Sequence, residues 1–183
     1  MGKIYMCKRP ENSLVNEMMY RDFSDCFGMT MRKKNVSIDD VVHCFFNTSP
    51  KIVVRMMQLR DFMVRCLGLK TMKHSKENEF TAFKPGDKRF LFNMYQCNEH
   101  EAIIGANDKH LNFRTSLYVK PCGDTTEVLI STVVVFNNNL GRYYMKLVAP
   151  FHKIVVRLIM KNMYEKLMAL HPAPQAAEIA AGY

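Results

Sequence analysis

Residues 109 to 119 read KHLNFRTSLYV and alternate with a period of two. Leu111, Phe113, Leu117 and Val119 fall on one side with Thr115, and His110, Asn112, Arg114, Ser116 and Tyr118 fall on the other. That period belongs to a β-strand with one face turned to a core. Four more extended runs share the middle of the chain: ENEFTAF, DKRFLFNMYQC, HEAIIGA and TEVLISTVVVF. Turn residues separate the runs at Pro85-Gly86-Asp87, Asn98, Ala106-Asn107-Asp108 and Cys122-Gly123-Asp124, and connections this short make antiparallel neighbours. An earlier strand is expected in MYRDFSDCFGM, around Tyr20, Phe23 and Phe27. A meander of this kind covers one face and wets the other, so the polar row from His110 to Tyr118 is expected to point outward.

Between the first strand and the meander the pattern is helical. SIDDVVHCFF opens on Ser37 with Asp40 three positions on, close to a capping box and the start of a short helix. Ser49-Pro50 repeats the signal, with a serine cap and a proline in the first turn, and KIVVRMMQLRDFMVRCLG then stops at Gly68. The chain closes with NNNLGRYYMKLVAPFHKIVVRLIMKNMYEKLMAL, a long helix in which Tyr144, Leu147, Val148, Phe151, Val155, Leu158 and Asn162 align as one stripe. Arg142, Lys146, Lys153 and Arg157 lie opposite. Pro150 is expected to bend or split this helix, because its ring clashes with the turn before it. The order predicts an α+β helix-grip fold, a curved antiparallel sheet of six to seven strands around a long C-terminal helix. Two shorter helices are inserted after the first strand. Residues 1–170 form one domain in this reading, and the Ala- and Pro-rich residues 171–183 a mobile tail.

Composition narrows the class. With 48% hydrophobic and 23% charged residues in 183, the chain can bury a sizeable core and is not of the disordered type. Trp is absent beside 15 Met and 12 Phe, an interior able to adapt to an irregular or occupied space. A net charge of +9 favours anionic partners. The basic residues are dispersed, densest at Arg32-Lys33-Lys34 and at Lys70, Lys73, His74 and Lys76, so a nucleic-acid site is not favoured. The six cysteines form no C-x-x-C pair, and reduced thiols are expected. Without an apolar leader or about 18 uninterrupted apolar residues, a cytoplasmic protein with no transmembrane segment is expected.

Three stretches carry a family resemblance: PKIVVRMMQLRDFMVRCLGLK, EAIIGANDKHLNFRTSLYV and STVVVFNNNLGRYYMKLVAPFHKIVVR. Its specific parts are Gly105, Asp108 to Leu111 with Phe113-Arg114, Leu140-Gly141-Arg142 with Tyr144, and Pro150-Phe151-His152. Over residues 20 to 165 the chain resembles the family of domain of unknown function 2867, placed among START-like (Bet v 1-like) helix-grip proteins. The resemblance implies an internal cavity suited to lipids or other hydrophobic ligands and supplies no reaction. Some relatives carry a nucleotide-binding domain on the same chain; no G-x-G-x-x-G occurs in this one, and no cofactor or metal is expected.

Strand parity and helix phase nominate cavity walls at Phe90, Phe92, Met94, Leu111, Phe113, Val134, Phe136, Tyr144, Leu147, Phe151 and Val155, each equally at home in an ordinary core. Asp108, His110, Arg114, Arg142 and His152 are expected to gather at one end of the sheet as a polar cluster, where an arginine fork would suit a carboxylate or phosphate head. The reading is therefore a binding protein for a small hydrophobic or amphipathic molecule. Two alternatives stay open. One is a cyclase- or hydratase-like enzyme using Asp108 and His110 with Tyr118 or Tyr144; the other is a basic module presenting Arg142, Lys146, Lys153 and Arg157 to an acidic partner.

Overall fold

Two strands of 12 residues each, β6 (Leu111–Cys122) and β7 (Thr125–Phe136), form the centre of the molecule. They are joined at Gly123, whose φ of 62° lies in the left-handed region that glycine enters without a Cβ clash. The computed structural model of the protein describes residues 3–18, 20–32, 36–47, 84–89 and 92–170. The remaining described elements are β1 (Ile4–Met6), α1 (Val15–Met18), β2 (Phe23–Met31), α2 (Ile38–Phe46), β3 (Lys88–Arg89), β4 (Phe92–Cys97), β5 (Glu101–Asn107) and α3 (Asn139–Leu170). The strands make one antiparallel sheet in the order β1-β2-β7-β6-β5-β4-β3. A bulge between Met94 and Gln96 interrupts the β4–β5 register. The fold is the expected α+β helix-grip arrangement, and α2 carries the expected cap, with Ser37 and Asp40 closing a full capping box. β1 and α1 lie in a lead-in whose polar composition predicted neither. The run ENEFTAF, the helix expected after Ser49-Pro50 and the tail lie outside the described residues.

The inner face of the sheet follows strand parity. Phe27, Met29 and Met31 of β2, Val128 and Ile130 of β7, Leu117 and Val119 of β6, and Ala102 and Ile104 of β5 pack in one buried cluster. α2 contributes Val41, Val42, Cys44 and Phe46, and α3 contributes Val156, Ile159, Met160, Met163 and Leu167. Three methionines from strands (Met29, Met31, Met94) meet two from the helix in this core, the gap-filling use to which an unbranched side chain is suited.

α3 is laid down on a different face from the one expected. Its buried positions are Gly141, Met145, Val156, Ile159, Met160, Met163 and Leu167, whereas Leu147, Phe151 and Leu158 are exposed. The physical reason lies at Gly141, where a Cβ would overlap the carbonyl oxygen of His110. Only a residue without a side chain lets the helix approach the β5–β6 turn this closely, and that contact selects the rotation. Nor does Pro150 split the helix, which runs through it from Asn139 to Leu170. Pro150 and Lys146 are both exposed, so the turn that lacks the Pro150 amide lies on the solvent side of the helix.

The middle of the outer face is not wetted. Arg114, Ser116 and Tyr118 are buried, and much of what covers them comes from the N-terminal lead-in. Glu101, 1% exposed, accepts hydrogen bonds from the Ser13 hydroxyl at 2.6 Å, the Leu14 amide at 2.7 Å and the Ser116 hydroxyl. Asn12 donates to the Tyr118 hydroxyl at 3.1 Å, and Val15 and Leu14 pack on Ile103 and Val133. The expectation of a solvated face fails because a buried carboxylate with three donors holds a covering segment over it.

Glu101→Ala leaves those three donors unanswered. With about 1.5–3 kcal/mol for a hydrogen bond to a charged group, urea denaturation is expected to show a loss of roughly 3 kcal/mol or more. Native-state hydrogen exchange should report lost protection at the Leu14 amide; an unchanged Leu14 would refute the pinning role.

Candidate functional site

The inner face is apolar except in its middle. Asp25 of β2 is paired in register with Thr132 of β7, and Thr132 with Thr115 of β6, so the three side chains form one row across adjacent strands. All three are buried, Asp25 at 8% exposure. The row separates the main core from a second apolar cluster of Leu111, Val134 and Met145, flanked by Phe23, Phe113, Phe136, Tyr144 and Ala149. Above it His152 of α3 brings Nε2 to 3.4 Å from Asp25 Oδ1 and 3.3 Å from Oδ2, while the Phe23 ring stands edge-on to the imidazole at 6.3 Å. Asp25 Oδ2 is buried and has no hydrogen-bond partner of acceptable geometry among the described residues.

A carboxylate is an acceptor only, and burying one that is not fully answered is costly. His152 is the described residue that meets the Asp25 carboxylate most directly, at 3.3 Å from Oδ2. The second cluster places apolar side chains next to it. Edge-to-face aromatic contacts run from Phe113 to Phe92 at 5.8 Å and from Phe92 to Phe46 at 5.9 Å, tying this region to α2.

The expected cavity walls divide accordingly. Leu111, Phe113, Val134, Phe136 and Tyr144 meet in the second cluster, while Met94, Phe92 and Val155 belong to the main core. Leu147 and Phe151 are exposed on α3, and Phe90 lies outside the described residues.

The five residues of the expected polar cluster are not gathered in one place. Asp108 and His110 meet in the β5–β6 turn, Oδ1 to Nδ1 at 3.4 Å, with the His110 ring against Tyr144 at 5.2 Å. This turn is bound to the start of α3: Asn137 and Asn138 donate to the carbonyls of Asp108 and Lys109, and Asn138 accepts from the Gly141 amide. Arg114 lies on the opposite face of the sheet, its guanidinium 3.7 Å from the centre of the Tyr95 ring and donating to the Phe113 carbonyl. Burial holds its pKa below the ordinary value, partly offset by Tyr95. Arg142 is exposed, and His152 alone of the five faces Asp25. Tyr118 lies on the outer face, so it cannot serve Asp108 and His110 from across the sheet.

Asp25 is absent from the sequence reading, although its signal is there. Phe23, Asp25, Phe27, Met29 and Met31 share one parity, and a carboxylate in an otherwise apolar strand face marks a special position. Its partner is 127 residues away, which no local pattern reports.

Behind the sheet, Cys7 and Cys26 bring their sulfurs to 3.2 Å, with the Ser131 hydroxyl also at 3.2 Å from Cys26. Burial, with the hydrogen bond to Cys26 adding to it, pushes the Cys7 thiol up to about 12. Among the described residues no group of three or more His, Cys, Asp or Glu could hold a metal ion. No described helix is long and apolar enough to cross a membrane.

A family model described as "Protein of unknown function (DUF2867)" matches residues 19–159, and the chain belongs to that family. The match includes Asp25, Thr115, Thr132 and His152 but not Ser13 and Leu14, which close over Glu101. Among solved structures, the Mll3558 protein from Rhizobium loti is similar at 13% identity and a TM-score of 0.44, over 79% of this chain and 96% of that one. No curated protein matches.

Two outcomes follow. Gly141→Ala forces a Cβ into the His110 carbonyl and is expected to destabilise by about 3 kcal/mol or more, a strain-class loss measurable by urea unfolding. The Cys7 thiol, ordinarily at 9.0 and raised to about 12 in the fold, ionises first in the unfolded chain. The unfolded state then binds fewer protons, so stability should fall as pH rises above 9. Urea midpoints at stepped alkaline pH should show a smaller decline for Cys7→Ser.

Proposed function

We propose that this protein binds a small amphipathic molecule between the sheet and α3, with the molecule's polar end donating a hydrogen bond to Asp25. One observation carries the reading: a buried Asp25 whose Oδ2 meets His152 Nε2 at 3.3 Å but has no hydrogen bond of good geometry among the described residues, set in a polar row with Thr132 and Thr115 next to an aromatic and aliphatic cluster. The ligand's body would lie along Phe113, Val134, Phe136 and Tyr144, and His152 would hold Asp25 and close the polar end. The helix-grip layout supports a place among START-like proteins, in which the space between sheet and helix serves hydrophobic ligands. An acceptor-only site selects for hydroxyl or amine headgroups and against carboxylates, whose charge would repel that of Asp25.

The test is a set of eight-carbon amphiphiles, octan-1-ol, octylamine and octanoate, assayed by thermal shift and titration calorimetry. The alcohol and amine are expected to stabilise the protein and octanoate to fail. Asp25→Asn should weaken the amine by roughly tenfold, the scale of one charge-assisted hydrogen bond, and reduce the discrimination against octanoate. Equal binding of all three, or an unchanged preference in Asp25→Asn, would remove the basis of the proposal.

A further inference from the structure

α3 is apolar on two faces, and the sheet uses only one. Tyr143, Leu147, Phe151, Ile154 and Leu158 are each 44% to 65% exposed. At 3.6 residues per turn they fall within a sector of about 80°, roughly opposite the buried row of Met145, Val156, Met163 and Leu167. Five large apolar side chains in one exposed row exceed the scattered singles that any surface carries.

The flank of that row is cationic. From Asn139 to Leu170 the helix holds six Lys or Arg residues against the single Glu165. Lys146 and Arg157 border one side of the row, with Arg142 and Lys153 further round on the same side, and Lys161 falls within it; the Arg157 guanidinium also stands 5.3 Å from the Phe27 ring. The Lys146 ammonium lies 5.9 Å from the centre of the Tyr143 ring, so a cation borders the first residue of the row. That is the arrangement in which long cationic side chains snorkel from an apolar surface towards anionic groups.

We propose that this face of α3 docks on an anionic membrane surface, its apolar row entering the headgroup region and its cations meeting lipid phosphates. The charge pattern selects the occupant. A second copy would bring two cationic flanks together, and their repulsion opposes a dimer on this face. The row is a single convex ridge. An interfacial helix buries its apolar face by about 5–10 Å of immersion and needs no complementary groove in a partner. The proposal stands apart from the ligand site, since none of the five row residues belongs to the buried clusters around Asp25.

The chain contains no Trp, so Phe151→Trp supplies a single reporter on the row. Its emission is expected to shift to the blue with phosphatidylcholine vesicles containing phosphatidylglycerol, not with phosphatidylcholine alone, and to return as salt is raised. Sedimentation with the same vesicles should fall about tenfold in Ile154→Glu. Lys146→Glu with Lys161→Glu should lose about fivefold or more per charge, a second check if Ile154→Glu fails to fold. No blue shift at low salt, equal binding to neutral vesicles, or indifference to both variants would overturn the proposal. So would retention on soluble poly-glutamate with no response to vesicles, which would assign the face to an acidic protein.

Discussion

Both faces of the β6–β7 hairpin must be covered, and the molecule is organised around that constraint. Twelve-residue strands at the centre of a seven-stranded sheet present side chains to two sides. α3 and α2 cover the inner side by apolar packing. On the outer side the lead-in is held by polar chemistry at Glu101, whose carboxylate takes donors from Ser13, Leu14 and Ser116. Area burial is non-directional and tolerates sliding, whereas a buried carboxylate with fixed donors does not. The outer cover is therefore set in register by Glu101, with the Asn12–Tyr118 hydrogen bond beside it.

The same geometry makes the candidate site. A parity row that crosses β2, β7 and β6 cannot be apolar where Asp25, Thr132 and Thr115 meet, and this polar band divides the interior in two. α3 spans both parts because its N-terminal end is locked to the β5–β6 turn by Gly141 and by the amides of Asn137 and Asn138. With that end fixed, His152 comes down over Asp25. The positions of His110 and Asp108 are explained by this lock, in which they shape the turn beneath the helix.

Much of the fold was legible because strand alternation, turn residues and helix caps are local signals. β6, β7, α2 and the long helix could each be placed from neighbouring residues alone. Which face of α3 packs down was not legible, since the helix has two apolar faces and hydrophobicity does not rank them. A non-local contact decided it, the approach of Gly141 to the His110 carbonyl. The outer cover was hidden for a similar reason: ENS at residues 11 to 13 reads as a solvated lead-in until Glu101 is found beneath it. At the candidate site, His152 was marked by sequence, while Asp25 stood in an apolar row without being read as a signal. Their pairing spans two elements and required the fold.

The central proposal is that the Asp25 carboxylate is answered by a molecule from outside the chain. Native mass spectrometry of the freshly purified protein, followed by solvent extraction, addresses it most directly. The account predicts one bound amphipathic molecule with a hydroxyl or amine head, its occupancy reduced in Asp25→Asn. A clean unliganded mass in the wild type, unchanged after incubation with long-chain alcohols and amines, would contradict it and leave the Asp25–His152 pair as a feature of the core.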